Sequence, residues 1–357
     1  MKVLHLQLMG GPGGIVSLCR SINKVSSNQE YFYFIFDGGE VADLIEAEGG
    51  HVIVGHDAHF CILPGLNHFV NFCKMEKIDL LIVHANSPIA WIYAVVAKKK
   101  IKNLTLKTYV HADPTDFLKT GIKKKINLIL FQASCKNSIN VIAISQFIKK
   151  RTKSVVKFDY DKLIVLYNGI LASNFMCIHD DTDKNRTFEL IYIGRVTAFK
   201  NVKILPSVMS MLPQNVHLSI VGSGNELDAV KQLAETLNVS HQIDFLGNRL
   251  DIPQLLSRAD LFIHPASWEE GFGITLVEAM AAGVPCIAYR KGAIPEIIHN
   301  NVNGWIVEKD TVEDFTNGIK FALKQYLNGT YSKYRQEAEN TGKQFNMKTL
   351  LDNLERI

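Results

Sequence analysis

Glu270 and Glu278 lie eight positions apart, on either side of a glycine loop, Gly271-Phe272-Gly273. Residues 259–263, apolar but for Asp260, read as a strand leading into that loop. Residues 276–282 read as a helix, stopped by Gly283 and Pro285. A second short strand over 286–289 leads to a second glycine turn, Gly292-Ala293-Ile294, and a second helix start at Pro295-Glu296. This order puts Glu270 at the carboxyl end of a strand, facing the crevice. It puts Glu278 on the first turns of a helix, within reach of a ligand hydroxyl. Both helix N-termini face one edge of a parallel sheet, where open α/β sheets bind ligands, and two free N-termini there suit an anion such as a diphosphate. A blander reading stays open. Thr275-x-x-Glu278 is also a capping box, and Glu269 or Glu270 in a loop is ordinarily solvated.

Other groups capable of chemistry are scattered along the first half. Residues 2–9 alternate and end in Gly10-Gly11-Pro12-Gly13-Gly14, a strand feeding a glycine loop and a helix over 15–24. A strand over 31–36 then closes on Asp37-Gly38-Gly39, which raises a nicotinamide-dependent oxidoreductase with Asp37 on a ribose. The spacing opposes it, because Val16 stands where the dinucleotide fingerprint needs glycine or alanine. His56-x-x-His59-x-Cys61 has ligand-type residues without a metal-site spacing, so a solvated loop is the simpler reading. His111 ends a strand over 104–110, on the ligand side of the sheet.

The Glu-seven residues-Glu pattern, with its glycine turn and Pro-Glu, resembles the signature of retaining family 4 glycosyltransferases of the GT-B fold. The resemblance is specific over 189–296 and diffuse over 1–170. It implies an α/β chain of two Rossmann-like domains with parallel sheets and a cleft between them. Residues 1–170, joined by a crossing helix at about 341–357, would form the acceptor-side domain; residues 171–340 would bind the nucleotide sugar. In such proteins Gly194-Arg195 and a following lysine, here Lys200, act on the donor diphosphate. Phe272, Gly273, Ile274 and Thr275 would add contacts to that group, and Gly13 and Gly14 would face it from the first domain. The resemblance gives Glu270 and His111 to the donor sugar as the catalytic pair, and Glu278 to the ribose. Gly222, Gly224, Gly247, Asn248 and Arg249 would lie on the nucleobase side. A departing nucleoside diphosphate gains negative charge, and fixed cations and N–H groups meet that need without a metal. No metal and no cofactor are therefore expected, and a UDP-sugar is favoured as donor. Asp181-Thr182-Asp183 looks like the metal-binding Asp-x-Asp of the other transferase fold, GT-A. It precedes a strand instead of ending one, and it is set aside.

The elements that must hold these groups follow an α/β rhythm through the whole chain. At 357 residues there is length for two domains, and 47% apolar with 21% charged residues is ordinary for a globular protein. The six cysteines form no C-x-x-C pair, which fits a reducing cytoplasm. No apolar run reaches the length of a membrane span. Charge is uneven: residues 1–175 hold 21 basic against 13 acidic residues, while the whole chain is only +4. The lysines cluster at 98–100 and 123–125, beside Phe117, Ile122, Ile126 and Ile129 at helical spacing. One reading is a solvated face on a core-packed helix. The other is a peripheral contact with anionic lipid, at the inner face of the cell membrane. No nucleic-acid partner is expected. The acceptor implied is a glycan or lipid-linked glycan in cell-surface polysaccharide or glycoconjugate synthesis. A non-catalytic sugar-nucleotide-binding subunit of the same fold is the remaining alternative, and intact Arg195, Lys200 and Glu270 speak against a dead site.

Overall fold

Runs of three to nine mostly apolar residues make the strands, and the central ones β4, β11 and β12 are buried along their whole length, as in parallel sheets covered on both faces. The computed structural model describes residues 1–11, 13–55, 62–115, 122–176, 183 and 186–357. These form two compact units. One comprises Met1–Gly169 and Met347–Ile357, the other Ile170–Asn346.

Unit 1 holds β1 (Lys2–Met9), β2 (Gln29–Asp37), β3 (His51–Val54), β4 (Leu80–Val83), β5 (Thr105–Val110), β6 (Asn140–Ala143) and β7 (Leu163–Val165). They pair in parallel in the order β3-β2-β1-β4-β5-β6-β7. The strand order reverses between β1 and β4, so the crevice of this sheet opens there. The last helix, Met347–Arg356, packs on this unit through buried Met347, Leu350, Leu351 and Leu354. Lys107 Nζ donates to the Leu354 carbonyl at 2.8 Å and fixes its end.

Unit 2 holds β8 (Phe188–Ile193), β9 (Val216–Val221), β10 (Ile243–Gly247), β11 (Leu261–His264), β12 (Cys286–Tyr289) and β13 (Gly304–Val307). The order is β10-β9-β8-β11-β12-β13, again all parallel, with its reversal between β8 and β11. The strand expected over 259–263 is shifted: Asp260 stands before β11, fully buried. Its carboxylate accepts from Arg186 at 2.6 and 2.8 Å, from Arg335 at 2.5 Å and from the Glu189 N–H at 2.8 Å. That cluster ties the start of β8 to β11 and to the helix Ser332–Gln344. β13 was not among the expected strands; four residues give no period to read.

Candidate active site

At the reversal point of the second sheet, the loops after β8 and β11 meet through one ion pair. Lys200 Nζ lies 2.6 Å from Glu270 Oε2, and both side chains are largely buried. His264, the last residue of β11, brings Nε2 to 3.3 Å from the same oxygen and leaves Nδ1 buried without a partner among the described residues. Burial alone would raise the Glu270 carboxyl. The Lys200 charge outweighs it, helped by His264, and the net shift is well downward, so Glu270 is a carboxylate. Burial also moves His264 down, towards neutral imidazole. The cation and carboxylate that the sequence resemblance assigned to separate parts of a donor are therefore neighbours here.

Glycines hold these loops against one another. A Cβ on Gly222 would fall 2.0 Å from the Gly194 carbonyl oxygen, and one on Gly224 2.1 Å from that of Val196. The bare backbone allows Gly194 N–H to reach Val221 at 3.0 Å and Val196 N–H to reach Ser223 at 2.9 Å. On the other side, Gly292 has φ +52° and lies under Glu270, where a Cβ would stand 2.1 Å from the Glu270 carbonyl oxygen. Its N–H donates to the Glu269 carboxylate at 2.5 Å, and Ala293 N–H donates to the Glu270 carbonyl at 2.8 Å. Ala293 itself has φ −84°, ψ 0°, which any residue adopts. Only the first position of this turn requires glycine.

The helix Ile274–Ala281 starts beside Glu270, capped by Gly273 at φ +91° with no side-chain cap and no acid in its first turn. Its open N–H groups, those of Ile274 and Thr275 first, make an anion seat. The capping box read from Thr275 and Glu278 is not formed, because Thr275 is already the second helical residue. Glu278 sits partly buried with no hydrogen-bond partner among the described residues, and burial pushes its carboxyl up to about 7. Arg195 is exposed and makes no ion pair among the described residues. The Phe272 ring is buried, 5.4 Å from that of Phe345. Toward β10, Gly222 N–H donates to the Gly247 carbonyl at 2.7 Å, and Ser223 Oγ to Asn248 Oδ1 at 3.1 Å. Arg249 is turned to Asp251 at 2.6 and 2.8 Å. Residues 195, 200, 222, 224, 247, 248, 270, 273, 274, 275 and 278 thus share one sheet edge.

Unit 1 has its own edge. Gly13 caps the helix Gly14–Val25 after β1, and His111 follows β5 with its ring buried. His111 Nε2 is 2.9 Å from Nδ1 of His84, which follows β4. Neither His84 nor His264 was singled out from sequence. Each is a histidine closing an apolar strand, which was the only signal available. His56, His59, Cys61, Phe117 and Asp181 lie outside the described residues.

Comparisons with known proteins agree with this fold. Residues 178–345 match the family described as Glycosyl transferases group 1, and residues 31–173 match Glycosyltransferase Family 4. An uncharacterized glycosyltransferase of Methanocaldococcus jannaschii is 27% identical over 345 residues, 94% of this chain and 90% of that one. The UDP-Gal:alpha-D-GlcNAc-diphosphoundecaprenol alpha-1,3-galactosyltransferase of Escherichia coli is 22% identical, over 89% of this chain and 87% of its own. Crystal structures of Anabaena Alr3699/HepE with UDP and with UDP-glucose match with TM-scores of 0.86 and 0.84 at 23% identity. They cover 100% of this chain and 99% and 100% of theirs. The chain has the GT-B fold.

Proposed function

We propose, for a chain that belongs to the group 1, family 4 glycosyltransferases, that it moves a sugar from a nucleotide-sugar donor to a glycan or lipid-linked glycan acceptor. The donor is a UDP-sugar, the anomeric configuration is retained, and no metal takes part. The observation that carries this reading is the Lys200–Glu270–His264 cluster at the β8/β11 reversal, beside the open N-terminus of the helix Ile274–Ala281. The glycosyl C1–O bond to the diphosphate breaks, and a bond from the acceptor oxygen to C1 forms. The acceptor proton leaves on the departing phosphate oxygen. Arg195, Lys200 and the N–H groups of Ile274 and Thr275 hold the charge that gathers on that phosphate. Glu270 binds sugar hydroxyls, and Glu278 binds the ribose. Two relatives or neighbours lend weight to UDP: Alr3699/HepE crystallised with UDP-glucose, and the Escherichia coli enzyme is a UDP-Gal transferase on a diphosphoundecaprenol-linked sugar.

The acceptor reading rests partly on the basic helix of unit 1, Ile122–Asn137. Lys123, Lys124 and Lys125 are exposed there, with Ile126 at 49% and Ile129 at 64% exposure. Exposed isoleucines beside lysines favour a peripheral contact with anionic lipid over a core-packed helix face. Among the described residues no helix is long and apolar enough to cross a membrane. A thermal-shift screen against UDP, GDP, ADP and their sugars identifies the donor, since a ligand stabilises the native state. Nucleoside diphosphate release on adding that donor with membrane-extracted glycans then tests transfer. A chain stabilised by none of them is not a nucleotide-sugar transferase.

A further inference from the structure

Four buried side chains of unit 1 form one hydrogen-bonded line across four neighbouring strands. Glu30 comes from β2, His5 from β1, His84 from the end of β4 and His111 from the end of β5. Glu30 Oε2 is 2.8 Å from His5 Nε2, His5 Nδ1 is 2.8 Å from His84 Nε2, and His84 Nδ1 is 2.9 Å from His111 Nε2. Their exposures are 7, 1, 0 and 8%. Successive rings lie edge to edge, centroids 5.1 Å apart and planes 26° and 29° from parallel, and the Tyr109 ring centroid lies 4.5 Å from that of His111.

A neutral imidazole carries one N–H and one lone pair, so this line has two arrangements. Either each ring holds its proton on Nε2 and a carboxylate receives at the inner end, or each holds it on Nδ1 and a carboxyl group donates. Ser26 favours the first. The Asn28 N–H donates to Ser26 Oγ at 3.1 Å, which turns the hydroxyl proton to Glu30 Oε1 at 2.5 Å. A hydrogen bond donated to Oε1 is stronger to a carboxylate than to a carboxylic acid, so it favours the form in which Glu30 receives on both oxygens.

We propose that Glu30, His5 and His84 are positioning residues that fix the tautomer of His111, leaving its proton on Nε2 and a lone pair on Nδ1. A group donating a hydrogen bond, such as a sugar hydroxyl, then fits at Nδ1, whereas a phosphate, carboxylate or carbonyl oxygen does not. That consequence rests on the transferase reading; the proton order does not. An added proton on His5 or His84 would set two N–H groups face to face. Burial keeps His84 well below the usual imidazole range and brings His111 down to about 3, so those two rings stay neutral.

His5, Cys19 and His84 also offer one ligand-type atom each within 4.8 Å of one another. Two imidazole ligands of one zinc ion stand about 3.3 Å apart. Here the facing nitrogens are at 2.8 Å, already hydrogen-bonded, and burial holds Cys19 as a thiol.

Long-range 1H–15N spectra of 15N-histidine-labelled protein at pH 7.5 test the order directly, with His111 assigned by His111→Asn. Wild type should show His5, His84 and His111 as neutral Nε2–H tautomers. Glu30→Gln can donate its amide to His5, and it should shift His111, three rings away, toward Nδ1–H. The same variant should weaken UDP-glucose on the order of tenfold while leaving UDP affinity unchanged. An Nδ1–H His111 in wild type overturns the proposal, and so does a Glu30→Gln spectrum in which His111 keeps the wild-type tautomer. Collapse of the His5 and His84 signals with one equivalent of zinc chloride would overturn it in favour of a metal site. The wild-type spectrum stands even if Glu30→Gln does not fold. Expected tautomers in a protein that binds no nucleotide sugar would keep the proton order and remove the transferase reading.

Discussion

Replacing Glu278 by Gln separates a ligand-binding carboxyl from a structural one. Burial lifts this group from an ordinary 4.5 to about 7. The folded chain therefore holds the proton more tightly than the unfolded chain between those values, and stability falls as pH rises through that window. At about 1.4 kcal/mol per unit the cost of ionisation reaches about 3 kcal/mol, and roughly half of that once solvent screening of a partly buried side chain is counted. Gln cannot ionise. Glu278→Gln should match wild type near pH 4 and exceed it by roughly 1.5–3 kcal/mol at pH 8, by denaturant unfolding. Binding should move the other way. Ribose hydroxyls donate to a carboxylate, so wild-type affinity for UDP-glucose should rise about tenfold from pH 6 to pH 8 as Glu278 ionises, with proton release seen as buffer-dependent heat. Losing hydrogen bonds to a charged group should weaken binding at pH 8 on the order of 10–100-fold in Glu278→Gln and flatten its pH dependence. Calorimetric titration reads all three effects. A wild-type affinity that is flat with pH and unchanged by the substitution would refute the reasoning and take Glu278 out of the site.

Arg195→Ala and Lys200→Ala should each lose most turnover in buffer containing EDTA, while EDTA leaves wild type untouched; activity lost with EDTA alone would bring a metal back. Lys200 holds Glu270 below its usual range, a contribution present above pH of about 4.5 and lost as pH falls, so Lys200→Ala should also lose stability at neutral pH and show a weaker acid dependence. Gly292→Ala should cost at least about 1 kcal/mol, from its left-handed φ alone, and impair turnover by displacing Glu270, whereas Ala293→Gly should leave turnover intact. The chain should sediment with anionic vesicles at low salt, little with neutral ones, and release at high salt. Changing Lys123, Lys124 and Lys125 to Gln should abolish most of that without unfolding, and a wild type that ignores anionic vesicles would mark these lysines as a solvated face.

The strands were legible because a parallel sheet buried on both faces leaves continuous apolar runs, as at residues 80–83 and 286–289. So was the glycine turn that Gly292 closes. What sequence could not give was pairing across distance. Asp260 was read as part of a strand, yet two arginines 74 and 75 positions away hold it. Thr275 and Glu278 have the spacing of a capping box, but Gly273 starts the helix earlier, and the side chains follow that start. The line from Glu30 to His111 draws one residue from each of four strands, and only the sheet order makes them neighbours. Ala293, the second residue of the Gly292 turn, has ordinary backbone angles, so the turn needs glycine only at Gly292.

The most direct test of the central claim is a calorimetric titration of UDP-glucose, with the GDP- and ADP-sugars as alternates, into wild type and Glu270→Gln in EDTA. The account predicts one site per chain without metal, with nucleotide-sugar affinity lost in Glu270→Gln while UDP still binds. Failure of every nucleotide sugar to bind wild type, or binding that Glu270→Gln leaves unchanged, would contradict it.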